Sequence, residues 1–351
     1  MSLEKSSDEL QQFAVDQAKA AARAQYLGWR HLRSEYVQNI DTVLATIETK
    51  GPWTWTLPGE AMASAPTEGD VSNAVPSNPH DEVLTYVSAT NMDEIRQQYV
   101  EMRKTVELWD WISMTDIRSS WYMLTHGVGS LTEKPLNTQF EVESVTLFPI
   151  GLDGILGEVQ IGALANERIN RWPEVPSDTN KMPLPAKRLQ ATLLHNEYLD
   201  ALRAQDTAGI IATMRPNVAT AIRSYLGDDY TVVNAEGSSA LADYYDALFE
   251  RFTIKEIRVV NRVVETWFIF AELHWIVEYR TGARTGQTYE FCTADVAPID
   301  SDCKFWVRTG AGTSPVPVDL EAFDTYAPFS DERGVPERQG WEFTLVQRGS
   351  N

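Results

Sequence analysis

Between Trp267 and Tyr279 the chain reads WFIFAELHWIVEY, thirteen residues with neither Gly nor Pro. Aromatic and β-branched residues dominate it, which predicts a long strand buried on both faces rather than a helix. Alternation puts Phe268, Phe270, Glu272, His274 and Ile276 on one face. Trp267, Ile269, Ala271, Leu273, Trp275, Val277 and Tyr279 lie on the other.

Elsewhere the pattern alternates between helical and strand periods. A helical pattern over about 26–47 is stopped by Gly51-Pro52, and Trp53-Thr54-Trp55-Thr56-Leu57 alternates as a short strand. Residues 58–81, rich in Gly, Pro, Ser, Asn and Thr, read as a loop. A helix is predicted over 92–107, with Ile95, Tyr99, Met102 and Val106 on one face, and strands over 108–131, 138–150 and 155–161. After a Pro-rich connector, Trp172 to Pro185, the order returns: helix 188–204, a second helix from Asp206-Thr207, a strand near Tyr230 and helix 239–253. Asp41 and Asp206 are the expected caps of the second helix in each half.

The two halves match in register. A displacement of 146 positions lays Ile95 on Leu241, Tyr99 on Tyr245, Val106 on Phe252 and Trp121 on Trp267. A displacement of 149 lays Pro149-Ile150-x-x-Asp153 on Pro298-Ile299-x-x-Asp302. Such matching predicts two copies of one unit packed as an intramolecular pseudo-dimer, with further homo-oligomer formation left open. Early helices followed by long antiparallel strands make the expected fold class α+β. The expected layout is an N-terminal extension over 1–25, a first domain over 26–162, a linker over 163–187, a second domain over 188–310 and a C-terminal strap over 311–351.

Composition narrows the function classes. The chain has 351 residues, 43% hydrophobic and 23% charged, an ordinary globular balance. No apolar run approaches the roughly 18–20 residues of a membrane span. The polar N-terminus does not read as a signal peptide, so a cytoplasmic location is expected. A net charge of −20 argues against nucleic acid and anionic membranes as partners. Two cysteines, Cys292 and Cys303, form no metal-binding spacing, and the five histidines show no HxH or HExxH pattern, so no metal is expected. Phosphate-loop, dinucleotide and nucleophile-elbow motifs are missing from the sequence, and no cofactor is expected.

The segment Glu197-Tyr198-Leu199-Asp200-Ala201-Leu202-Arg203-Ala204-Gln205-Asp206-Thr207, followed by Ile210-Ile211-Ala212-Thr213-Met214, resembles the SnoaL-like, ketosteroid-isomerase-like group of the nuclear-transport-factor-2-like superfamily. The Pro-Ile-x-x-Asp turn and closing strand of both halves are similar to that group too. The resemblance implies two cone-like domains, each a curved antiparallel sheet wrapped around three helices, with an apolar pocket in the mouth. It also implies isomerase, dehydratase or cyclase chemistry, or a non-catalytic binding or scaffold role. Dehydratases of the group carry a His on the strand after the third helix. The corresponding stretches here, Trp111-Ile112-Ser113-Met114-Thr115-Asp116 and Glu256-Ile257-Arg258-Val259-Val260-Asn261-Arg262, contain none.

The candidate chemistry centres on Glu272 and His274. A cofactor-independent lyase or isomerase needs a base whose pKa lies near the working pH, and burial raises that of a Glu. At spacing two the side chains stand about 7 Å apart and can share a ligand. The expected roles are Glu272 as base, His274 as proton relay and Tyr198 as oxyanion donor. His126, which falls on Glu272 under the 146-residue displacement, is the catalytic candidate of the first half. The first-half counterpart of Tyr198 is Arg33. Trp267, Phe268, Phe270, Tyr245, Trp53 and Trp55 are the expected apolar surface for a cyclic small-molecule ligand. The plainer reading sets Glu272 and His274 against solvent or the other domain, and makes the tyrosines core residues.

Overall fold

The computed structural model describes residues 7–37, 39–48, 53–57, 85–89, 91–134, 137–151, 153–164, 184–224, 231–299, 302–313 and 315–318. The loop expected over 58–81, most of the Pro-rich connector and the strap beyond 318 lie outside them. The described residues fall into two compact units, 7–164 and 184–318. Both are α+β.

The first unit runs α1 (Ser7–Tyr36), α2 (Ile40–Leu44), β1 (Trp53–Leu57), β2 (Thr85–Ala89), α3 (Met92–Thr105), β3 (Val106–Arg118), β4 (Tyr122–Glu133), β5 (Thr138–Pro149) and β6 (Val159–Leu164). Strands β3-β4-β5-β6 form one antiparallel sheet in chain order, and β1 pairs with β2. Helix α1 passes through position 26 without a break, so the helix begins well before the expected extension ends. Asn39, not Asp41, caps α2: its side chain accepts from the N–H groups of Asp41 and Thr42. Asp41 instead pairs with Arg96 at the surface. Asn91 caps α3, and acidic Asp93 and Glu94 at its start and basic Arg103 and Lys104 at its end complement the helix dipole.

The second unit runs α4 (Leu184–Ala204), α5 (Thr207–Ala212), β7 (Met214–Ser224), β8 (Thr231–Glu236), α6 (Gly237–Arg251), β9 (Phe252–Val264), β10 (Phe268–Tyr279), β11 (Thr288–Pro298), β12 (Phe305–Gly312) and β13 (Val316–Pro317). Its seven-stranded sheet has the order β8-β7-β12-β11-β10-β9, with β13 on β11. All pairings are antiparallel except β12 with β7. Asp206 caps α5 by accepting from Gly209 N–H, as expected.

Packing in this unit follows the two periods of the sequence. Ala191, Leu194, Tyr198 and Leu202 on α4, and Leu241, Tyr245 and Leu248 on α6, recur at helical spacing and face one way. They meet Ile269, Ala271, Leu273, Trp275, Val277 and Tyr279, which are the odd positions of β10. In the first unit Ala24, Leu27, Ile95 and Tyr99 meet Met123, Phe148, Ile150 and Ile155 in the same manner.

Irregularities recur as well. The β3–β4 register slips past Trp109 and Met114, and the β9–β10 register slips past Lys255 and Val260, each 146 positions later. Ile150 N–H donates to Trp121 C=O, and Ile299 N–H donates to Trp267 C=O. Trp267 itself sits in the turn before β10, not in the strand.

Candidate functional site

The helix-facing interior of the second unit holds a polar cluster built from four elements. Tyr198 comes from α4, Tyr245 from α6, Asp295 from β11 and Arg308 from β12. The two tyrosine hydroxyls are 3.1 Å apart. Arg308 Nη1 donates to the Tyr245 hydroxyl at 2.8 Å, and Nη2 donates to Asp295 Oδ2 at 2.7 Å. The guanidinium carbon lies 4.1 Å from the centre of the Tyr198 ring, a cation–π contact in a dry setting. Asp295 Oδ1 has no hydrogen-bond partner among the described residues.

Backbone packing explains how a carboxylate fits there. A Cβ on Gly310, which pairs with Asp295, would stand 2.3 Å from Ala294 O and 2.4 Å from Asp295 Oδ1. Only a glycine leaves room for that side chain. Burial raises the Asp295 pKa, and Arg308 beside it works in the opposite direction without cancelling the rise. Burial lifts the Tyr198 pKa well above its usual value. His195, one turn before Tyr198 and stacked on its ring, is pulled down to about 3 by burial, with Arg308, Arg262 and Arg203 adding to the effect. It is therefore a neutral imidazole.

The first unit carries a different set in the corresponding place. His31 of α1 lies eight residues before the cap Asn39, as Tyr198 lies eight before Asp206. His31, not Arg33, therefore holds the place relative to its helix cap that Tyr198 holds relative to Asp206; Arg33 is exposed. His31 Nε2 is 3.2 Å from the Tyr99 hydroxyl, 3.7 Å from Glu35 Oε1 and 3.8 Å from Glu158 Oε2. His31 Nδ1 meets Thr46 Oγ1 at 2.6 Å. Burial lowers the His31 pKa to about 4 and raises Glu158 to about 8. Burial, with Glu158 nearby, raises Glu35 to about 7.

Glu272 and His274 do not join Tyr198. Both are buried, but they occupy the even positions of β10, and the odd positions are the ones that pack on α4 and α6. Strand alternation therefore sets the pair on the sheet face away from the helices. There Glu272 Oε2 accepts from Asn261 Nδ2 at 2.6 Å, and His274 Nε2 lies 3.0 Å from Glu290 Oε2. Phe268 and Phe270 share that face. His126 is likewise on the face away from α1 and α3, since Met123 fills the helix side, and it meets Glu143 at 2.8 Å. The base–relay–oxyanion set expected from the sequence is thus split across the sheet. Tyr198 and Tyr245 are brought together; Trp267 packs edge-on against Phe268. Trp53 and Trp55 belong to β1, and their side chains lie outside the described part of the structure.

Sequence reasoning missed Asp295, Arg308, His31, Glu35 and Glu158. One signal was present: His31 and Glu35 stand at helical spacing i, i+4. Arg308 and Asp295 gave none, because a charged residue on a strand reads as solvent-facing until the packing is known.

No family model matches the chain, and no curated protein matches it in sequence. Among solved structures it is similar to an NTF2-like protein of Burkholderia xenovorans, at 14% identity over 36% of this chain and 91% of that one, with a TM-score of 0.29. It is also similar to an LEH-like epoxide hydrolase of Mycobacterium tuberculosis, at 12% identity over 39% of this chain and 88% of that one, with a TM-score of 0.28. A protein of Catenulispora acidiphila with a ketosteroid-isomerase-like fold, solved with trimethylamine, is 4% identical over 33% of this chain and 82% of that one, with a TM-score of 0.28. Among the described residues no helix is long and apolar enough to cross a membrane.

Proposed function

We propose that the chain holds two copies of one cone-forming unit, and that the second is a lyase or isomerase working by general acid–base catalysis on an apolar, cyclic small molecule. The shared strand bounds, bulge positions and turn hydrogen bonds support the repeat. The single observation that carries the chemistry is Asp295 Oδ1, buried on the helix-facing side without a hydrogen-bond partner among the described residues.

A carboxylate so placed has a raised pKa and an open lone pair, the two properties a base needs to take a proton beside a carbonyl. The charge that develops on the ligand oxygen needs fixed donors. Either tyrosine hydroxyl can donate across their 3.1 Å contact; in this reading Tyr245, whose oxygen accepts from Arg308, donates its O–H hydrogen bond to Tyr198 and leaves the Tyr198 O–H as the terminal donor. In this reading Tyr198 keeps the oxyanion role expected from the sequence, and Asp295 replaces Glu272 as base. Glu272 and His274 serve the opposite sheet face.

A second reading, a non-catalytic binding or scaffold protein, is favoured by one observation. Tyr198, Tyr245, Asp295 and Arg308 are each 7% exposed or less, so they fill the interior themselves.

A ligand screen with cyclic ketones and hydroxyketones, read by the fluorescence of the Trp275 region, separates the two. Binding followed by turnover that falls about 100-fold or more in Asp295→Asn, and is unchanged in Glu272→Gln, supports the acid–base reading. Binding without turnover supports the second. Turnover lost in Glu272→Gln and kept in Asp295→Asn removes the site from this cluster.

A further inference from the structure

The first unit holds a buried cluster that the proposed chemistry of the second does not use. The Nε2 of His31, a carboxylate oxygen of Glu35 and a carboxylate oxygen of Glu158 all lie within 4.8 Å of one another. We infer that His31, Glu35 and Glu158 form a binding site for a divalent first-row transition cation of the zinc class.

The donor orientation comes first. Thr46 Oγ1 donates its hydrogen to Val43 O at 2.5 Å, so toward His31 Nδ1 it can only accept. His31 Nδ1 therefore carries the ring proton, and Nε2 presents its lone pair to the carboxylates. A histidine ligand held by a hydrogen bond from its other nitrogen is the usual arrangement around a bound metal. Helix geometry supplies the second ligand: Glu35 is one turn after His31 on the same face of α1. The third arrives from the segment just before β6.

Distance and charge agree with a cation between them. Ligand atoms 2.0–2.2 Å from a tetrahedral ion stand about 3.4 Å apart, and the two carboxylates are 3.7 and 3.8 Å from Nε2. A closure of a few tenths of an ångström brings both carboxylates to that distance from Nε2. Glu158 is 2% exposed, and its Oε2, the atom nearest His31, has no hydrogen-bond partner among the described residues. A lone pair facing two carboxylate oxygens across such gaps is unfavourable unless a proton or a metal cation lies between, and a divalent ion in place of the protons neutralises both acids. The mixed imidazole and carboxylate set selects zinc-class ions over calcium and magnesium, which take oxygen ligands. The Tyr99 hydroxyl, 3.2 Å from Nε2 and 3.3 Å from Glu35 Oε1, is placed to bond a water in the fourth position.

The test uses the full chain after chelator treatment, titrated with Co2+ as a coloured probe and with Zn2+ as competitor. A saturable d–d band at one equivalent, displaced by Zn2+, with a rise in Tm on Zn2+ addition, is expected. Glu158→Gln should abolish the band, and Thr46→Val should weaken binding about 10- to 100-fold by freeing the ring. No band and no Tm shift in the wild type overturns the site, and so does a band that survives Glu158→Gln, which would report surface carboxylates of this acidic chain. Should Glu158→Gln fail to fold, X-ray absorption of the zinc-loaded wild type decides. One imidazole with oxygen donors supports the site, while sulfur or several imidazoles overturn it.

Discussion

Arg308 and Asp295 form an ion pair of 2.7 Å whose two side chains are both withdrawn almost entirely from solvent. Removing one member leaves the other charge stranded, which costs about 3–5 kcal/mol. Arg308→Met is therefore expected to be strongly destabilising in urea unfolding. The double variant Arg308→Met, Asp295→Asn should recover part of that loss, because no uncompensated charge stays behind. A double variant as unstable as the sum of the singles would show that the pair is not coupled.

Tyr198→Phe removes one hydroxyl and leaves the ring against Arg308. The expected loss is about 0.5–1.5 kcal/mol, the net worth of one hydrogen bond. Tyr198→Ala should cost several times more, because it also deletes a buried ring. Chemical denaturation of the two variants separates the polar contribution of this residue from its packing.

His195 sets a pH dependence. Its folded pKa, lowered by burial first and by Arg308, Arg262 and Arg203 next, is about 3 against an ordinary 6.5. Between those values the unfolded chain binds a proton that the folded chain refuses. Stability from this group is complete above pH 6.5 and is lost as pH falls, by up to about 1.4 kcal/mol per pH unit. His195→Asn is expected to flatten the acid limb of a Tm-versus-pH curve. An unchanged slope would mean that His195 accepts its proton readily in the folded protein.

The caps give a differential test. Asp206→Ala and Asn39→Ala should each cost about 1 kcal/mol, since each removes the acceptor at a helix start. Asp41→Ala should cost well under 1 kcal/mol, because it removes only an exposed ion pair with Arg96. Equal losses at positions 39 and 41 would contradict the assignment.

That last pair shows where sequence reasoning reaches and where it stops. Strand β10 is legible because a dozen residues rich in aromatic and β-branched side chains, without Gly or Pro, fit an extended chain better than a helix, and β3 and β4 fall largely within the strand material expected over 108–131. Asp41 reads as a cap because Asn and Asp serve equally there, and only backbone geometry tells which of two nearby candidates does so. The two-residue error carries forward, pairing Tyr198 with Arg33 and hiding His31. The face of Glu272 is undecidable from sequence for a related reason. A strand buried on both sides shows its alternation without showing which side meets the helices. Asp295, Arg308 and Glu158 come from distant elements, and their meeting exists only after folding.

The paired slips at Trp109, Met114, Lys255 and Val260 have one more effect. Strands β3 and β9 are each the last strand of their sheet, with a row of backbone groups that a foreign strand could extend. Trp109, Met114 and Val260 are all exposed on those edges, a sticky combination. Two bulges per strand bend and overtwist the edge, so no flat run longer than a few residues is offered as a template. The same insertions that fix register inside the molecule thereby act as protection against runaway polymerisation, and a variant that deletes one residue at such a slip is where aggregation would begin.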